Sequence, residues 1–525
     1  MLLTIDIGTT VFKSAVWDSK GKRTAFCAIP IPSDPNYGQD PAKTGRHETD
    51  SRHWLKAFVD SCQKFCAEVP LSSVEALVIS GNGPSLVPVV GSGEWLVASG
   101  DRGLLLESGA GCQHALIADK NPTPYSLLPT PHSSLFNPYS LLPTPYSPYP
   151  ARLWLDRRAE EAARQVSEIL GGFVDAGFFL PKALDIKINE PGLYEKTVFF
   201  LGCPEFLSYA LTGEARTVFP SDGFERWYWN DGILEKLGLD KEKFPPFIRP
   251  GETYGGLAPQ VAARFNFKRD IPVISGGPDF FAAILGSGTI RPGQACDRAG
   301  TSEGINACTE NRIIDKRLMS YGHPVKPFWN LSGIISTTGK AMEWARDFLG
   351  LKTYGEFFDL AQTAQAGAGG LVFLPYLAGE RAPVWNPEAR GVLRGLGLSS
   401  GRPEFARSVM EGVCFAIRDV ISVMEETGAA IGELRVAGAS SGNAFLNRLK
   451  ADITKKKTLS LMHKEAELLG LAIIGSCALG RYASFSEAAG ALVSVEETVY
   501  PDEKNTALYD DMFAEYRRVR KKLWE

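Results

Sequence analysis

Leu2-Leu-Thr-Ile-Asp-Ile-Gly-Thr-Thr-Val-Phe-Lys-Ser-Ala-Val-Trp17, followed by Asp18-Ser-Lys-Gly-Lys22 and Thr24-Ala-Phe-Cys-Ala-Ile29, reads as three strands joined by two tight turns. The first turn, Asp6-Ile7-Gly8-Thr9-Thr10 with Lys13 three residues on, gathers groups that suit phosphate. It offers backbone N–H groups, the Thr9 and Thr10 hydroxyls, the Lys13 cation, and the Asp6 carboxylate for water-bound magnesium. The plain alternative is an ordinary β-turn with a polar tip. A helical pattern at 51–67 and an apolar strand at 76–80 then make this an α/β start.

Similar units recur further along. Ile271-Pro-Val-Ile-Ser275 reads as a buried strand with a helix from Phe280, and residues 435–442 as a strand followed by a glycine-rich turn. Residues 403–427 carry Val409, Val413, Ala416, Val420 and Val423 at the three-four spacing of a core-facing helix, and 151–170 reads as a charged helix. At 525 residues the chain exceeds one hydrophobic core. Two domains are expected, 1–252 and 253–525, divided where Pro and Gly cluster in Arg249-Pro-Gly-Glu-Thr-Tyr-Gly255. The pattern breaks where PYSLLPTP stands at 124–131 and again at 138–145, so about 100–148 reads as a proline-rich surface insertion in the first domain.

The 56 basic and 60 acidic residues leave a net charge of −4 with no basic stripe, which argues against nucleic acid as a partner. No apolar run approaches membrane-spanning length, the first ten residues lack the basic flank of a signal peptide, and nine scattered cysteines suit reduced thiols. A cytoplasmic protein is expected. Six histidines without HxxxH spacing give no zinc signal.

Three further segments carry candidate chemistry. Gly300-Thr301-Ser302 is a second glycine and hydroxyl turn that could oppose the first. Gly438-Ala439-Ser440-Ser441-Gly442-Asn443 follows a strand and opens a helix, so its small residues permit close approach by a purine or ribose. Asp279, between a buried strand and an apolar helix, reads either as a helix cap or as a base that takes a hydroxyl proton during attack on a γ-phosphate.

These segments, in this order, resemble the FGGY carbohydrate kinase family. DIGTTVFK (6–13), SGGPDFFAAILGSG (275–288) and RAGTSEG (298–304) are similar to its first phosphate, catalytic-base and second phosphate motifs. Leu374-Pro-Tyr-Leu-Ala-Gly-Glu-Arg-Ala-Pro-Val-Trp-Asn-Pro-Glu-Ala-Arg-Gly391 resembles its C-terminal signature. The resemblance implies two ribonuclease-H-like domains of the actin and hexokinase superfamily around a cleft, and transfer of phosphate from ATP with Mg2+ to a ketopentose or related polyol, xylulose-like favoured. It implies Asp279 as base, Asp6 on the magnesium side, and Thr9, Thr10, Lys13, Gly300, Thr301, Ser302, Gly438, Ala439 and Asn443 around the nucleotide. It places the sugar on Asn82, Gly83, Trp154, Asp156, Arg158 and Asp279, and leaves a homodimer open. Two departures stand out: Ala439 and Ser440 where the family usually has a second glycine, and Asn82 where it usually has glutamine. A degenerate sugar-binding regulator and an actin-like ATPase without kinase activity remain the alternatives.

Overall fold

The computed structural model describes residues 1–32, 45–91 and 146–524. Two mixed sheets organise it, and each is built from the same unit. The first has three antiparallel strands, β1 (Leu2–Ile7), β2 (Val11–Trp17) and β3 (Arg23–Pro30). Strand β4 (Ala76–Gly81) then pairs parallel to β1, β6 (Pro272–Pro278) parallel to β4, and β5 (Thr253–Gly256) antiparallel to β6 at the edge. Its order is β5-β6-β4-β1-β2-β3.

The second sheet repeats the plan with β7 (Gly293–Ala299), β8 (Glu303–Thr309), β9 (Met319–Gly322), β10 (Trp329–Ile335), β11 (Ile431–Ala437), β12 (Lys457–Leu461) and β13 (Val495–Val499). Its order is β9-β10-β8-β7-β11-β12-β13, with β7, β11 and β12 mutually parallel. Antiparallel strands followed by two parallel ones, three antiparallel in the first sheet and four in the second where β9 is added at the edge, form the paired ribonuclease-H-like architecture that the resemblance implied. Strands β1 and β4 are buried along their whole length, which is why they read as continuous apolar runs and not as alternating ones.

Helix α1 (Arg52–Glu68) and α2 (Cys203–Thr212) cover one face of the first sheet. Helix α3 (Asp279–Gly286) follows β6, and α4 (Arg402–Glu426) buries the valine stripe read from the sequence in the second core. Helices α5 (Ala444–Thr454), α6 (Ala466–Ala478) and α7 (Glu503–Trp524) lie further along the chain. Helices α3 and α6 cross backbone to backbone. A Cβ at Gly286 would stand 1.8 Å from the Ala466 carbonyl oxygen, and one at Gly470 would stand 1.8 Å from that of Ala282.

Three expectations are corrected. The changeover between sheets follows Pro278, not residue 252, because β5 and β6 pair with the first sheet; the Pro and Gly cluster at 249–255 is only a turn into an edge strand. The span 151–170 is helical only from Glu160, since Ala151–Arg152 pairs as a strand with Glu48–Thr49. The insertion assigned to about 100–148 falls outside the described residues except at its end, where Tyr146–Pro148 forms a strand beside Val89–Gly91.

Glu205, buried on α2, links fold to pH. Burial raises its carboxyl to about 7, only partly offset by backbone N–H donors including that of Val218. A carboxyl whose folded value is raised contributes stability fully present below the unfolded value of 4.5 and lost as pH rises through about 7. Glu205→Gln is therefore expected to resist urea better than the parent chain at pH ~8, by on the order of 2 kcal/mol, with the gap closing near pH ~4.5. Urea midpoints at the two pH values check this.

Candidate active site

The turns between strands one and two of each sheet are the two phosphate candidates, and they are built alike. The Gly8 N–H donates to the Val11 carbonyl at 3.0 Å, and the Gly300 N–H to the Ser302 carbonyl at 3.0 Å. At Gly8 the glycine lets the backbone fold tightly, because a Cβ there would meet the Val11 oxygen at 2.6 Å. Thr10, Gly300 and Thr301 are exposed, while Thr9, Lys13 and Ser302 are half-buried. Lys13 lies directly opposite Asp6 in the β1/β2 register.

Asp6 is buried at the end of β1 and accepts the Ser80 hydroxyl at 2.9 Å. Burial first, then the nearby carboxylates Glu467 and Asp279, push its carboxyl up to about 7, against the pull of Lys13. A carboxylate so crowded by negative charge suits a site where a cation arrives with its ligand. Among the described residues no cluster of three or more His, Cys, Asp or Glu side chains could hold a metal by protein ligands alone. One or two carboxylates plus substrate phosphates is the usual magnesium arrangement, and Asp6 fits it.

Asp279 opens α3, but it is not the cap. Pro278 occupies that position, and the Asp279 carboxylate takes the N–H of its neighbour Phe280 at 2.7 Å through Oδ1. Its Oδ2 accepts from Arg298 Nη1 at 2.7 Å. Arg298 stands on β7 just before the Gly300 turn, so Asp279 of one sheet and the candidate phosphate turn of the other are tied by one ion pair. Phe280 stacks on Phe224 and packs beside Tyr321, which gives Asp279 an aromatic flank.

The proposed sugar side meets the first phosphate turn at Thr9. Its hydroxyl accepts from both Asn82 Nδ2 and Trp154 Nε1, the latter at 3.1 Å. The face of Trp154 is covered by the Arg381 guanidinium, 4.8 Å from the ring centroid, so the Gly379-Glu380-Arg381 signature of the second half reaches the N-terminal site. Gly83 leaves open space, with nothing within 4 Å of a Cβ. Lys182, fully buried, donates to the carbonyls of Pro84 and Leu153 at 2.7 Å each and of Arg152 at 3.3 Å, fastening the 82–85 and 152–154 loops together.

Asp156 and Arg158 are corrected. The Asp156 side chain is completely buried and takes the Arg158 guanidinium and the backbone N–H groups of His47 and Arg158. Burial would raise its carboxyl, but those donors outweigh burial and hold it below the ordinary value. Arg158 is further engaged by Glu48. The pair pins the 45–48 segment to the 153–158 turn and leaves no free oxygen for a sugar hydroxyl.

On the nucleotide side, Gly438 has φ 90°, and a Cβ there would stand 2.0 Å from the Ala299 carbonyl oxygen, so only glycine lets β11 leave beside the Gly300 turn. Ala439 is exposed, and the Asn443 side chain caps α5 by accepting the Leu446 N–H at 2.8 Å. Below the turn, Lys450 of α5 is buried between Asp297 and Glu303, at 2.5 and 2.6 Å. Sequence reasoning missed Arg298, Glu467, Arg381 and the Lys450 triad. For Arg298 a signal was present, an arginine two residues before a phosphate-turn glycine.

The N-terminal domain model of the FGGY family of carbohydrate kinases matches residues 147–286, and its C-terminal domain model matches 298–479, together more than half the chain. A glycerol kinase of Thermococcus gammatolerans is 30% identical over 362 residues, 65% of this chain and 72% of that protein. The chain belongs to the FGGY family of carbohydrate kinases. A xylulose kinase of Staphylococcus epidermidis is 27% identical over 386 residues, covering 71% of this FGGY kinase and 77% of its relative. The crystal structure of ligand-bound xylulose kinase from Lactobacillus acidophilus superposes with a TM-score of 0.79 at 23% identity, covering 100% of this chain and 98% of that one, which bears out the fold. The chain is a carbohydrate kinase, and the non-kinase alternatives fall away.

Proposed function

We propose that this FGGY kinase transfers the γ-phosphoryl group of ATP to a hydroxyl of a ketopentose, a xylulose-like sugar first. The observation that carries this reading is the placement of Asp279 at the end of β6, ion-paired to the strand that leads into the second phosphate turn. The S. epidermidis relative, a xylulose kinase, supports the choice of sugar. The sugar lies against Gly83, Asn82 and Trp154, and Asp279 orients its hydroxyl and accepts the proton. The nucleotide lies along Thr9, Thr10, Lys13, Gly300, Thr301, Ser302, Gly438, Ala439 and the start of α5 at Asn443. Lys13 and the backbone N–H groups of the two turns hold the phosphates and oppose charge on the group in transfer. Magnesium, when bound beside Asp6, would supply charge neutralisation between phosphate oxygens.

The eight described cysteines are all free, which supports a reducing compartment such as the cytoplasm. No described helix is long and apolar enough to cross a membrane. ADP release by the purified chain against xylulose, ribulose, gluconate, glycerol and erythritol tests the reading. A ketopentose is expected to give the highest kcat/KM. Preference for gluconate or glycerol would overturn the substrate, and ADP release that ignores every sugar would overturn the acceptor class.

A further inference from the structure

The internal repeat puts Asp6 and Arg298 at the same place in the two sheets. Each stands two residues before the glycine of its phosphate turn, on the first strand of its unit, with a parallel strand alongside: Asp6 beside Ser80, Arg298 beside Ala437. The first half therefore brings a carboxylate to the meeting point of the sheets, and the second brings a guanidinium. Arg298 Nη1 reaches Asp279 at 2.7 Å and lies 4.0 Å from Glu467 of α6. Its Nε is buried without a protein partner, and so is Glu467 Oε2. A planar fork of five donors thus has its ion-pair contact concentrated on the base, with a donor to spare, two residues before the turn that would face the phosphates.

We propose that Arg298 is a further catalytic residue of this kinase, one that holds Asp279 and, with both substrates in place, shares its guanidinium between that carboxylate and the phosphoryl group in flight. This rests on the kinase reading above. In the transfer the sugar oxygen forms a bond to the γ-phosphorus and the bond from that phosphorus to the bridging oxygen breaks, leaving ADP. The hydroxyl proton passes to Asp279. Arg298 fixes the direction from which Asp279 accepts and opposes the negative charge spread over the three phosphoryl oxygens. Loss of that charge acts on the step itself and not on binding of either substrate.

The test is the kinetics of Arg298→Met and Arg298→Lys with the best sugar, alongside ATP binding by calorimetry. Arg298→Met is expected to lose ~10²-fold or more in kcat, with the sugar KM and ATP Kd within about threefold. Arg298→Lys keeps a charge but not the fork, so it is expected to recover part of the loss and remain at least about fivefold slow. If folded Arg298→Met turns over at the parent rate, or if its defect lies wholly in ATP Kd and vanishes at saturation, the proposal is overturned. Should Arg298→Met fail to fold, Arg298→Lys decides: a parental kcat there sinks the idea. A parent chain that shows no sugar-dependent ADP release overturns the kinase reading and this proposal with it, whereas a normal parent beside a normal Arg298→Met overturns only the role of Arg298.

Discussion

Asp279→Asn is expected to turn over its best sugar ~10²-fold or more slowly than the parent chain while binding ATP with nearly the same affinity. The substitution is close to isosteric. The asparagine amide would still offer an oxygen to the Phe280 N–H or to Arg298, the two contacts that fix the side chain. What it loses is the negative charge and the capacity to take a proton from a hydroxyl. Since Pro278 and not Asp279 caps α3, the change should leave the thermal midpoint within a few degrees. Single-turnover kinetics separate the step from binding, and a full-rate burst in the folded variant would reduce Asp279 to a structural partner of Arg298.

The largest effect on stability is expected at Lys450. Its ammonium lies between Asp297 and Glu303, all three almost fully buried. Burial and the nearby Glu303 push the Asp297 carboxyl well up. Glu303 is held below its ordinary value, because Lys450 and its other hydrogen-bond partners outweigh its burial. One lysine therefore serves two buried acids, of which Glu303 is the more readily ionised. Lys450→Met strands Glu303 in the core without a countercharge, which costs about 3 to 5 kcal/mol. Glu303 follows Ser302 directly, so ATP affinity should weaken as well. Urea denaturation of Lys450→Met and of Lys450→Met/Glu303→Gln checks the cause: the double variant should regain much of the loss, and no recovery would mean that packing alone was at stake.

What the sequence disclosed was whatever is local. The three opening strands, the Gly8 and Gly300 turns and the strand before Asp279 are each specified within about a dozen residues, and the resemblance that their motifs carry implied the architecture. The boundary at 252 was misread because sheet membership depends on pairing: β6 reaches β4 across nearly two hundred residues of chain, and no composition shift marks it. Asp156 was assigned to the sugar by the family resemblance, and that resemblance does not show that Arg158, two residues on, occupies its carboxylate. Arg298 and Lys450 were hidden differently, since their meaning lies in acids contributed by other elements.

Helix α6 comes from the last sixty residues of the chain, yet Leu468, Leu471, Ile473 and Ile474 pack with Leu2, Trp17, Val78 and Ile274 of the first sheet. A nascent chain emerging from the ribosome therefore presents strands β1 to β6 long before their second face can be covered. That face is apolar, and it waits for most of the second half to be translated. A truncation anywhere upstream of 466 would release not a shortened kinase but a sheet with a bare side, a substrate for chaperones and proteases. The two halves of the repeat cannot mature in the order in which they are made.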